Sequence, residues 1–263
     1  MCRFLAYRGP TIYLEDLISS PCHSLIHQSL SAEEAKATTN GDGFGVGWYG
    51  EREEPGQYRE VRPAWSDENL LSLVRQVRSG LFFAHVRAAT GTATTRANCH
   101  PFVRGRFMFM HNGQVGGWNR VRRAMESLIP DDLYLERAGT TDSEALFLRI
   151  LALIAAGFAP LAAIRATLTE ARSLMRKTGV KEALRFAAAL TDGHDLFAVR
   201  WASDDKPPSL YVCEREDSVI VASEPVDELR DCWRALGRDT ALVAKPGEAA
   251  QLGPFEIGEL AAA

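Results

Sequence analysis

The order of its predicted secondary structure constrains the fold of this chain more than any other feature of the sequence. Strands come first, helices dominate the middle, and strands return towards the C-terminus. Short apolar or alternating segments between turn residues predict strands at 44–49, 57–62, 81–86, 107–110, 185–190, 196–201, 210–213 and 218–222. Apolar residues at helical spacing predict helices at 66–77, 115–128, 142–156 and 160–175. A doubly wound parallel sheet needs strict alternation of strands and helices, so this order excludes that fold. It predicts an α+β fold in which helices cover sheets.

The length of the chain and the absence of a linker predict one domain. The 263 residues are 46% hydrophobic and 24% charged, which is typical of globular proteins. A chain of this size can bury a large core without help from disulfides. Because no linker divides the sequence, we expect residues 1–263 to form a single domain.

The charge and hydropathy of the chain exclude two classes of partner. Its 30 basic and 34 acidic residues leave a net charge of −4, which excludes nucleic-acid binding through bulk positive charge. No apolar run approaches the roughly 18 residues that a membrane-spanning helix needs. The first eight residues carry charges and aromatic rings where a signal peptide has an apolar core. We therefore expect a cytoplasmic protein without nucleic-acid or membrane partners.

The cysteine pattern favours reduced thiols. The chain has an odd number of widely spaced cysteines, namely Cys2, Cys22, Cys99, Cys213 and Cys232. The absence of a Cys-x-x-Cys pair excludes a zinc ribbon or a thioredoxin-like motif, and a cytoplasmic location favours thiols over disulfides. Two cysteines precede a histidine, at 22–23 and 99–100, but adjacent residues seldom bind one ion and neither pair has a second close pair. We therefore predict no metal site and no cofactor.

Cys2 differs from the other cysteines because only the initiator methionine precedes it. Methionine aminopeptidases remove Met1 when the next residue is small, and this would leave a thiol and a free α-amine on one residue. The pKa of such an amine is about 7.7–8.0, so it can act as general base for its own thiol. The alternative is that Cys2 is an arbitrary second residue with no catalytic role.

Arg87 and Thr90 follow a predicted buried strand, in the segment His85-Val86-Arg87-Ala88-Ala89-Thr90-Gly91. A guanidinium at the end of a strand can hold a carboxylate through two parallel hydrogen bonds. The alternative for Arg87 is a structural salt bridge.

Asn112 and Gly113 lie in the polar segment that follows the predicted strand 107–110. An asparagine side-chain amide and a glycine backbone N–H can together form an oxyanion hole with two donors. The alternative is a simple turn, since Asn-Gly pairs are common in turns.

Asp142 lies in the segment Gly139-Thr140-Thr141-Asp142-Ser143-Glu144 at the start of a predicted helix. A threonine or aspartate followed by an acidic first turn is typical of a helix N-cap. A carboxylate at this position can also point into a cleft and bind the ammonium group of a substrate. The sequence leaves both roles open for Asp142.

Taken in order, these motifs resemble the glutaminase domain of class II glutamine amidotransferases, a branch of the N-terminal nucleophile hydrolases. The matching motifs run from residue 2 to about residue 146 and include Asn98-Cys99-His100-Pro101. The opening Met-Cys-Arg-Phe-Leu and the segment 40–49 are most similar to the small stand-alone members. That subgroup includes an amidohydrolase of ergothioneine biosynthesis. Each motif is weak alone, but five of them keep the family order.

The resemblance implies a fold and a catalytic apparatus. The fold would be a four-layer αββα sandwich of the N-terminal nucleophile hydrolase type, in agreement with the predicted order of elements. Cys2 would be the nucleophile that attacks a γ-carboxamide, with its own amine as base. Asn112 and Gly113 would supply the oxyanion hole.

The resemblance also implies contacts with the substrate. Arg87, assisted by Thr90, would bind the α-carboxylate of a glutaminyl group, and Asp142 would bind its α-ammonium. Because the amine already serves as base, the histidines of these motifs would orient the site loops rather than transfer protons. They are His85, His100 and His111.

Departures from the family pattern leave the donor and the acceptor open. Ala88 stands where synthase-linked relatives often carry an aromatic residue, and Cys99 and Phe102 make the His-Pro segment an imperfect copy. The residues after 146 would be used by the remaining strands and helices of the fold, which leaves no room for a synthase domain.

The sequence therefore predicts an enzyme that hydrolyses glutamine or another small γ-glutamyl compound. It would act as a stand-alone amidohydrolase or as the glutaminase component serving a separate synthase subunit. The alternative function is a catalytically silent protein that binds glutamine or a γ-glutamyl metabolite.

Overall fold

The computed structural model describes residues 2–34, 39–89, 91, 93–229 and 231–258. The strands, in chain order, are β1 (Arg3–Tyr13), β2 (Phe44–Trp48), β3 (Gly56–Glu60), β4 (Arg78–Val86), β5 (Phe102–Arg104), β6 (Phe107–Val115), β7 (Leu184–Thr191), β8 (Leu196–Ala202), β9 (Tyr211–Arg215), β10 (Ser218–Ala222), β11 (Trp233–Ala235), β12 (Thr240–Ala244) and β13 (Gln251–Pro254). The helices are α1 (Glu15–Ile18), α2 (Leu25–Leu30), α3 (Glu68–Gln76), α4 (Trp118–Glu126), α5 (Asp131–Leu135), α6 (Asp142–Ala155) and α7 (Pro160–Lys177).

The strands of the described residues form two antiparallel sheets. The first sheet has seven strands in the order β11-β9-β10-β1-β4-β2-β3, and the second has six in the order β13-β12-β8-β7-β6-β5. Helices α1, α2 and α3 contribute apolar side chains to the core on the outer face of the first sheet, and α4, α6 and α7 do so on the second. The prediction of an α+β fold without a doubly wound parallel sheet is confirmed.

Alternating side chains of the central strands fix the layers. On β1, Phe4 and Ala6 belong to the core between the two sheets, whereas Leu5 and Tyr7 belong to the core beneath α1, α2 and α3. Successive residues of a strand point to opposite faces, so the first half of β1 is buried on both sides. The same alternation on β6 separates the core between the sheets from the core beneath α4, α6 and α7. The four-layer αββα sandwich is therefore confirmed.

Two of the predicted helices, α3 and α6, begin at an N-cap residue. Asp67 caps α3 by accepting a hydrogen bond from the backbone N–H of Leu70, with an N···O distance of 2.7 Å. Thr141 caps α6 by accepting one from the backbone N–H of Glu144, at 3.2 Å. Such caps satisfy N–H groups that have no partner within the helix.

Strand β6 is longer than predicted. The sequence predicts a strand at 107–110 and a helix from 115, but β6 runs to Val115 and α4 begins at Trp118. The reason is its pairing with β7, which continues through Asn112↔Ala187 and Gly113↔Phe186. The interpretation of Asn112-Gly113 as a turn is therefore wrong, since both residues lie within a strand.

The prediction that the cysteines remain reduced is wrong for two of them. Cys213 and Cys232 form a disulfide, with 5.0 Å between their Cα atoms. Strand β9 pairs with β11 so that Cys213 lies opposite Trp233, and this brings the preceding residue, Cys232, close to Cys213. The remaining cysteines are free thiols: Cys2, Cys22 and Cys99.

Candidate active site

The predicted site residues meet at a cleft of about 560 Å³ formed where β1 begins, β4 and β6 end, and α6 begins. Cys2, Arg87, Gly113 and Asp142 all line this cleft. Asn112 is the neighbour of Gly113 on β6 and is buried beside it. The sixth predicted residue, Thr90, lies outside the described residues. Positions distant in the sequence are thus brought to one wall.

Cys2 lies directly before β1, and its thiol donates a hydrogen bond to the carbonyl oxygen of Ala88 over 3.6 Å. Burial raises the pKa of the Cys2 thiol, while the positive charges of Arg87 and Arg3 act in the opposite direction. Attack by Cys2 therefore requires a base, because the thiolate is the reactive form of a cysteine. The free α-amine that removal of Met1 would produce lies on the same residue.

Arg87 combines a place in the cleft wall with bonds that hold the loop after β4. Its side chain is 3% exposed, and its guanidinium donates to the carbonyl oxygens of Asp42 (3.4 Å) and Ala93 (3.2 Å). The carboxylate of Asp42 in turn accepts a hydrogen bond from the backbone N–H of Ala89 at 2.7 Å. A substrate carboxylate would meet a guanidinium whose position is already fixed, which lowers the entropic cost of binding.

Asn112 presents a donor without a partner. The residue is 2% exposed, and its Nδ2 makes no hydrogen bond to any described residue. Strand β5 pairs with β6 only at Phe107, Met108 and Phe109 among the described residues, so the edge of β6 away from β7 is open at Gly113. Buried amide donors normally have acceptors. A partnerless donor next to Gly113, which lines the same cleft as Cys2, has the chemistry that an oxyanion hole requires.

Asp142 links the start of α6 to the end of β6. Its Oδ2 accepts a hydrogen bond from the backbone N–H of Val115 at 2.7 Å, and its Oδ1 accepts one from the N–H of Ser143 at 2.8 Å. Thr141 is the N-cap residue, which leaves Asp142 as the first residue of the helix. Asp142 thus lines the cleft and also supports its wall through the hydrogen bond to Val115.

The three histidines of the motifs are buried and neutral. His111 Nδ1 lies 2.8 Å from Ser143 Oγ, and its Nε2 lies 3.3 Å from the carbonyl oxygen of Arg185. A carbonyl oxygen only accepts, so Nε2 carries the proton and Nδ1 accepts from the Ser143 hydroxyl. The rings of His85 and His100 lie 4.3 Å apart. Burial lowers the pKa of all three, that of His85 to about 3.

Sequence reasoning named Asn98 as part of a motif but gave it no role. Its Nδ2 donates to the carbonyl oxygen of Ala93 at 2.8 Å, and its Oδ1 accepts from the backbone N–H of Thr140 at 2.9 Å. Asn98 therefore ties the loop after β4 to the segment before α6. Only the folded chain reveals this bridge, because its two ends lie 47 positions apart in the sequence.

A larger cavity, of about 640 Å³, lies elsewhere on the molecule and is lined by acidic residues, histidines and Cys22. Two of its carboxylates already have partners: the buried Glu224 binds Arg3 and His23, and Asp227 binds Arg215. Size alone therefore does not make it the reaction site.

The described residues contain no group of three or more His, Cys, Asp or Glu side chains that could hold a metal ion. None of the described helices has both the length and the apolarity to span a bilayer.

Residues 1–217 match the family model described as class II glutamine amidotransferases. The probable glutamine amidotransferase DUG3 of Saccharomyces cerevisiae is 30% identical over 93% of this chain and 82% of its own length. The gamma-glutamyl-hercynylcysteine sulfoxide hydrolase of Mycolicibacterium smegmatis is 30% identical over 87% of this chain and 89% of its own.

Solved structures agree with these sequence matches. A glutamine aminotransferase class-II domain protein from Silicibacter pomeroyi superposes with a TM-score of 0.74 at 36% identity, covering 97% of this chain and 99% of that one. A glutamine phosphoribosylpyrophosphate amidotransferase from B. subtilis superposes with a TM-score of 0.65 at 14% identity. The superposition covers 98% of this chain and 50% of that one, and it shows that the two share a fold. By its sequence match over residues 1–217, the chain belongs to the class II glutamine amidotransferases, a family of enzymes.

Proposed function

We propose that this protein hydrolyses a γ-glutamyl amide through a thioester on Cys2, after removal of Met1. The observation that carries the proposal is the shared cleft, which places a thiol, a guanidinium and a carboxylate on one wall. Arg87 would bind the α-carboxylate of the substrate and Asp142 its α-ammonium. The two charges fix the orientation of a glutaminyl group, so that its γ-carbonyl carbon faces the thiol.

The reaction would proceed in two halves. The Cys2 amine takes the thiol proton, the thiolate attacks the γ-carbonyl carbon, and Asn112 Nδ2 with the Gly113 N–H would hold the resulting oxyanion. Collapse of this intermediate breaks the carbon–nitrogen bond, and the leaving amine takes the proton from the Cys2 ammonium. Water, deprotonated by the same amine, then attacks the thioester, releases glutamate and restores the thiol.

The size and the lining of the cleft favour a stand-alone amidohydrolase. Besides the residues assigned to the glutaminyl group, polar and charged residues line the cleft, namely Gln114, Asn119, Arg120 and Glu182. These groups give room and hydrogen-bonding capacity for a leaving amine larger than ammonia. The relative that is named gamma-glutamyl-hercynylcysteine sulfoxide hydrolase supports this class of substrate. The second candidate is a glutaminase component that serves a separate synthase subunit, which the relative named as a probable glutamine amidotransferase favours.

The test is release of glutamate and ammonia from glutamine, and of glutamate from larger γ-glutamyl amides, by the purified protein. Intact-mass spectrometry must first show that Met1 has been removed. Turnover without a partner supports the stand-alone enzyme, and turnover only after adding a synthase supports the component. A protein that loses Met1, binds glutamine and releases no glutamate under either condition would be the catalytically silent binding protein.

We also propose that residues 1–263 form one domain and that the protein is cytoplasmic. Strand β13 pairs with β12 in the second sheet, so the C-terminal strands belong to the same layers as the site. Limited proteolysis tests the single domain, because a second domain would give a stable fragment. The redox state of Cys213 and Cys232 in cells tests the location: free thiols would fit the reducing cytoplasm, whereas the disulfide seen in the structure, if it also forms in cells, would contradict a cytoplasmic location.

A further inference from the structure

A nucleophile at the end of a chain needs to be held in place. After removal of Met1, Cys2 has a peptide bond on its carbonyl side only. Terminal residues are poorly ordered unless other groups tie them down. The β1 ladder begins one residue later, with Arg3 opposite Val86 of β4. The orientation of the Cys2 thiol and amine therefore depends on the contacts that hold the Cys2 carbonyl group.

The Arg3 side chain supplies that contact. Its Nη1 donates a hydrogen bond to the carbonyl oxygen of Cys2 over 2.9 Å. Arg3 is fully buried, with 0% of its surface exposed. The side chain thus turns back on the residue before it and holds the Cys2–Arg3 peptide from the buried side.

Glu224 fixes the Arg3 guanidinium from its other side. The Glu224 carboxylate, 1% exposed, accepts a hydrogen bond from Arg3 Nε. It also lies 3.1 Å from His23 Nε2 and accepts hydrogen bonds from the backbone N–H groups of Glu33 (3.0 Å) and Glu34 (2.9 Å). Because the Glu224 carboxylate has four partners, its conformational freedom is small. The Arg3 guanidinium that it binds is restricted in the same way.

Stability alone is a poor explanation for this ion pair. Burying two charges carries a desolvation penalty, and packed apolar residues of similar volume are often equally or more stabilising. Arg3 Nη2 is buried and makes no hydrogen bond to any described residue, which adds to that penalty. A pair that is costly to bury and directed at the nucleophile fits a role in positioning.

We propose that Arg3 is a positioning residue for Cys2 and that Glu224 holds Arg3 in place. This inference rests on the proposed function, since Cys2 is the nucleophile there. The Arg3 charge also acts on the thiol, because it lowers the pKa of Cys2 against the effect of burial. Arg3 would not touch the substrate, which Arg87 and Asp142 bind.

The test compares Arg3→Lys with a matched variant, Arg149→Lys. Arg149 binds the Glu170 carboxylate and the Leu128 carbonyl oxygen, so it makes the same kinds of bond on the outer helices. A lysine keeps the charge beside the carboxylate but lacks the planar fork that reaches two partners. We expect Arg3→Lys to lower kcat by about 10²-fold with little change in KM, as for a misplaced reacting group. Arg149→Lys should keep the parental kcat.

A second readout does not depend on any substrate. Alkylation of Cys2 by iodoacetamide, followed by mass spectrometry of the N-terminal peptide, measures the thiol directly and separates it from Cys22 and Cys99. We expect Arg3→Lys to slow alkylation of Cys2 about tenfold, because the lysine keeps the positive charge but no longer holds the Cys2 carbonyl oxygen, which leaves the thiol without a fixed direction. If the parent releases no glutamate, the proposed function fails, but this comparison still tests the positioning.

A kcat and an alkylation rate in Arg3→Lys that match those of Arg149→Lys would overturn the proposal. So would a fall in kcat/KM that comes entirely from KM, because Arg3 would then act on the substrate. If Arg3→Lys does not fold, Glu224→Gln provides the same comparison, since it keeps the side-chain shape and removes the charge that holds Arg3. We expect Glu224→Gln to lower kcat in the same direction, and a parental kcat would overturn the role of Glu224.

Discussion

The carboxylate of Asp142 accepts a hydrogen bond from the backbone N–H of Val115, two residues beyond Gly113, over 2.7 Å. This bond joins the first turn of α6 to the end of β6. The group proposed to bind the substrate ammonium therefore also supports the strand proposed to bind the oxyanion. A substitution at Asp142 must keep the supporting bond if it is to test binding alone.

Asp142→Asn meets this requirement, because its amide oxygen can still accept from Val115. Loss of the negative charge should raise KM for glutamine roughly 10- to 100-fold, the range expected when a hydrogen bond between charged groups is lost. A γ-amide without the α-ammonium should respond little. Steady-state kinetics with both substrates gives the comparison. Asp131→Asn, at the exposed first position of α5, is the control and should keep the parental KM.

Arg87→Lys tests the proposed carboxylate subsite. The variant keeps the charge but loses the fork, and it should raise KM by the equivalent of roughly 1–3 kcal/mol. A γ-amide that lacks the α-carboxylate should be nearly insensitive to the change. The matched control is Arg200→Lys, since Arg200 also donates to backbone carbonyl oxygens, those of Pro208 and Leu236. Loss of a cooperative melt in Arg87→Lys alone would instead assign Arg87 to the fold, through its bonds to the loop.

Asn112→Ala should lower kcat by about 10²–10³-fold, which is typical of losing one oxyanion donor. Its melting temperature should stay near that of the parent, because Asn112 Nδ2 has no described partner to lose. Initial rates and a thermal melt together measure both effects. Asn69→Ala, on an exposed position of α3, serves as the control. A parental kcat in Asn112→Ala would remove the side chain from the oxyanion hole.

The sequence is sufficient to predict the layers of this fold but not the pairings that build its site. Helices α6 and α7 and strand β10 lie where local patterns place them, because apolar spacing and caps are properties of neighbouring residues. The extent of β6 through Asn112 and Gly113 depends on β7, which lies about 70 positions later, and local pattern carries no information about that register. The contact of Arg3 with Glu224 and the disulfide of Cys213 arise in the same way, from distant strands.

The ion pair at Glu224 should make stability depend on pH. Burial alone would raise the pKa of Glu224, but hydrogen bonds from His23 and backbone N–H groups and the charge of Arg3 lower it from 4.5 to about 2. A carboxyl group with a lowered pKa stabilises the fold above its unfolded pKa, and this stability is lost as the pH falls towards 2. The difference corresponds to about 3 kcal/mol. The pKa of His23 is raised, so its contribution is present below about 6.5 and is lost as the pH rises.

Denaturant unfolding of the parent and of Glu224→Gln between pH 7 and pH 2.5 measures this contribution. The difference in free energy of unfolding between the two proteins should be largest near pH 5 to 6 and should shrink as the pH falls. Glu53→Gln, at an exposed position, should show no such trend. A difference that stays constant with pH would show that Glu224 does not titrate in this way.

Cys2→Ala is the most direct test of the mechanism. The variant should lose all turnover, because no thioester can form without the sulfur. Alanine is small enough to allow removal of Met1, so the free amine remains and only the nucleophile is changed. The thermal melt should stay close to that of the parent, since the thiol makes one long hydrogen bond, to Ala88. Cys22→Ala removes an exposed thiol outside the cleft and should keep the parental rate. Release of glutamate by Cys2→Ala at the parental rate would show that Cys2 is not the nucleophile. Another residue of the cleft would then have to attack the amide.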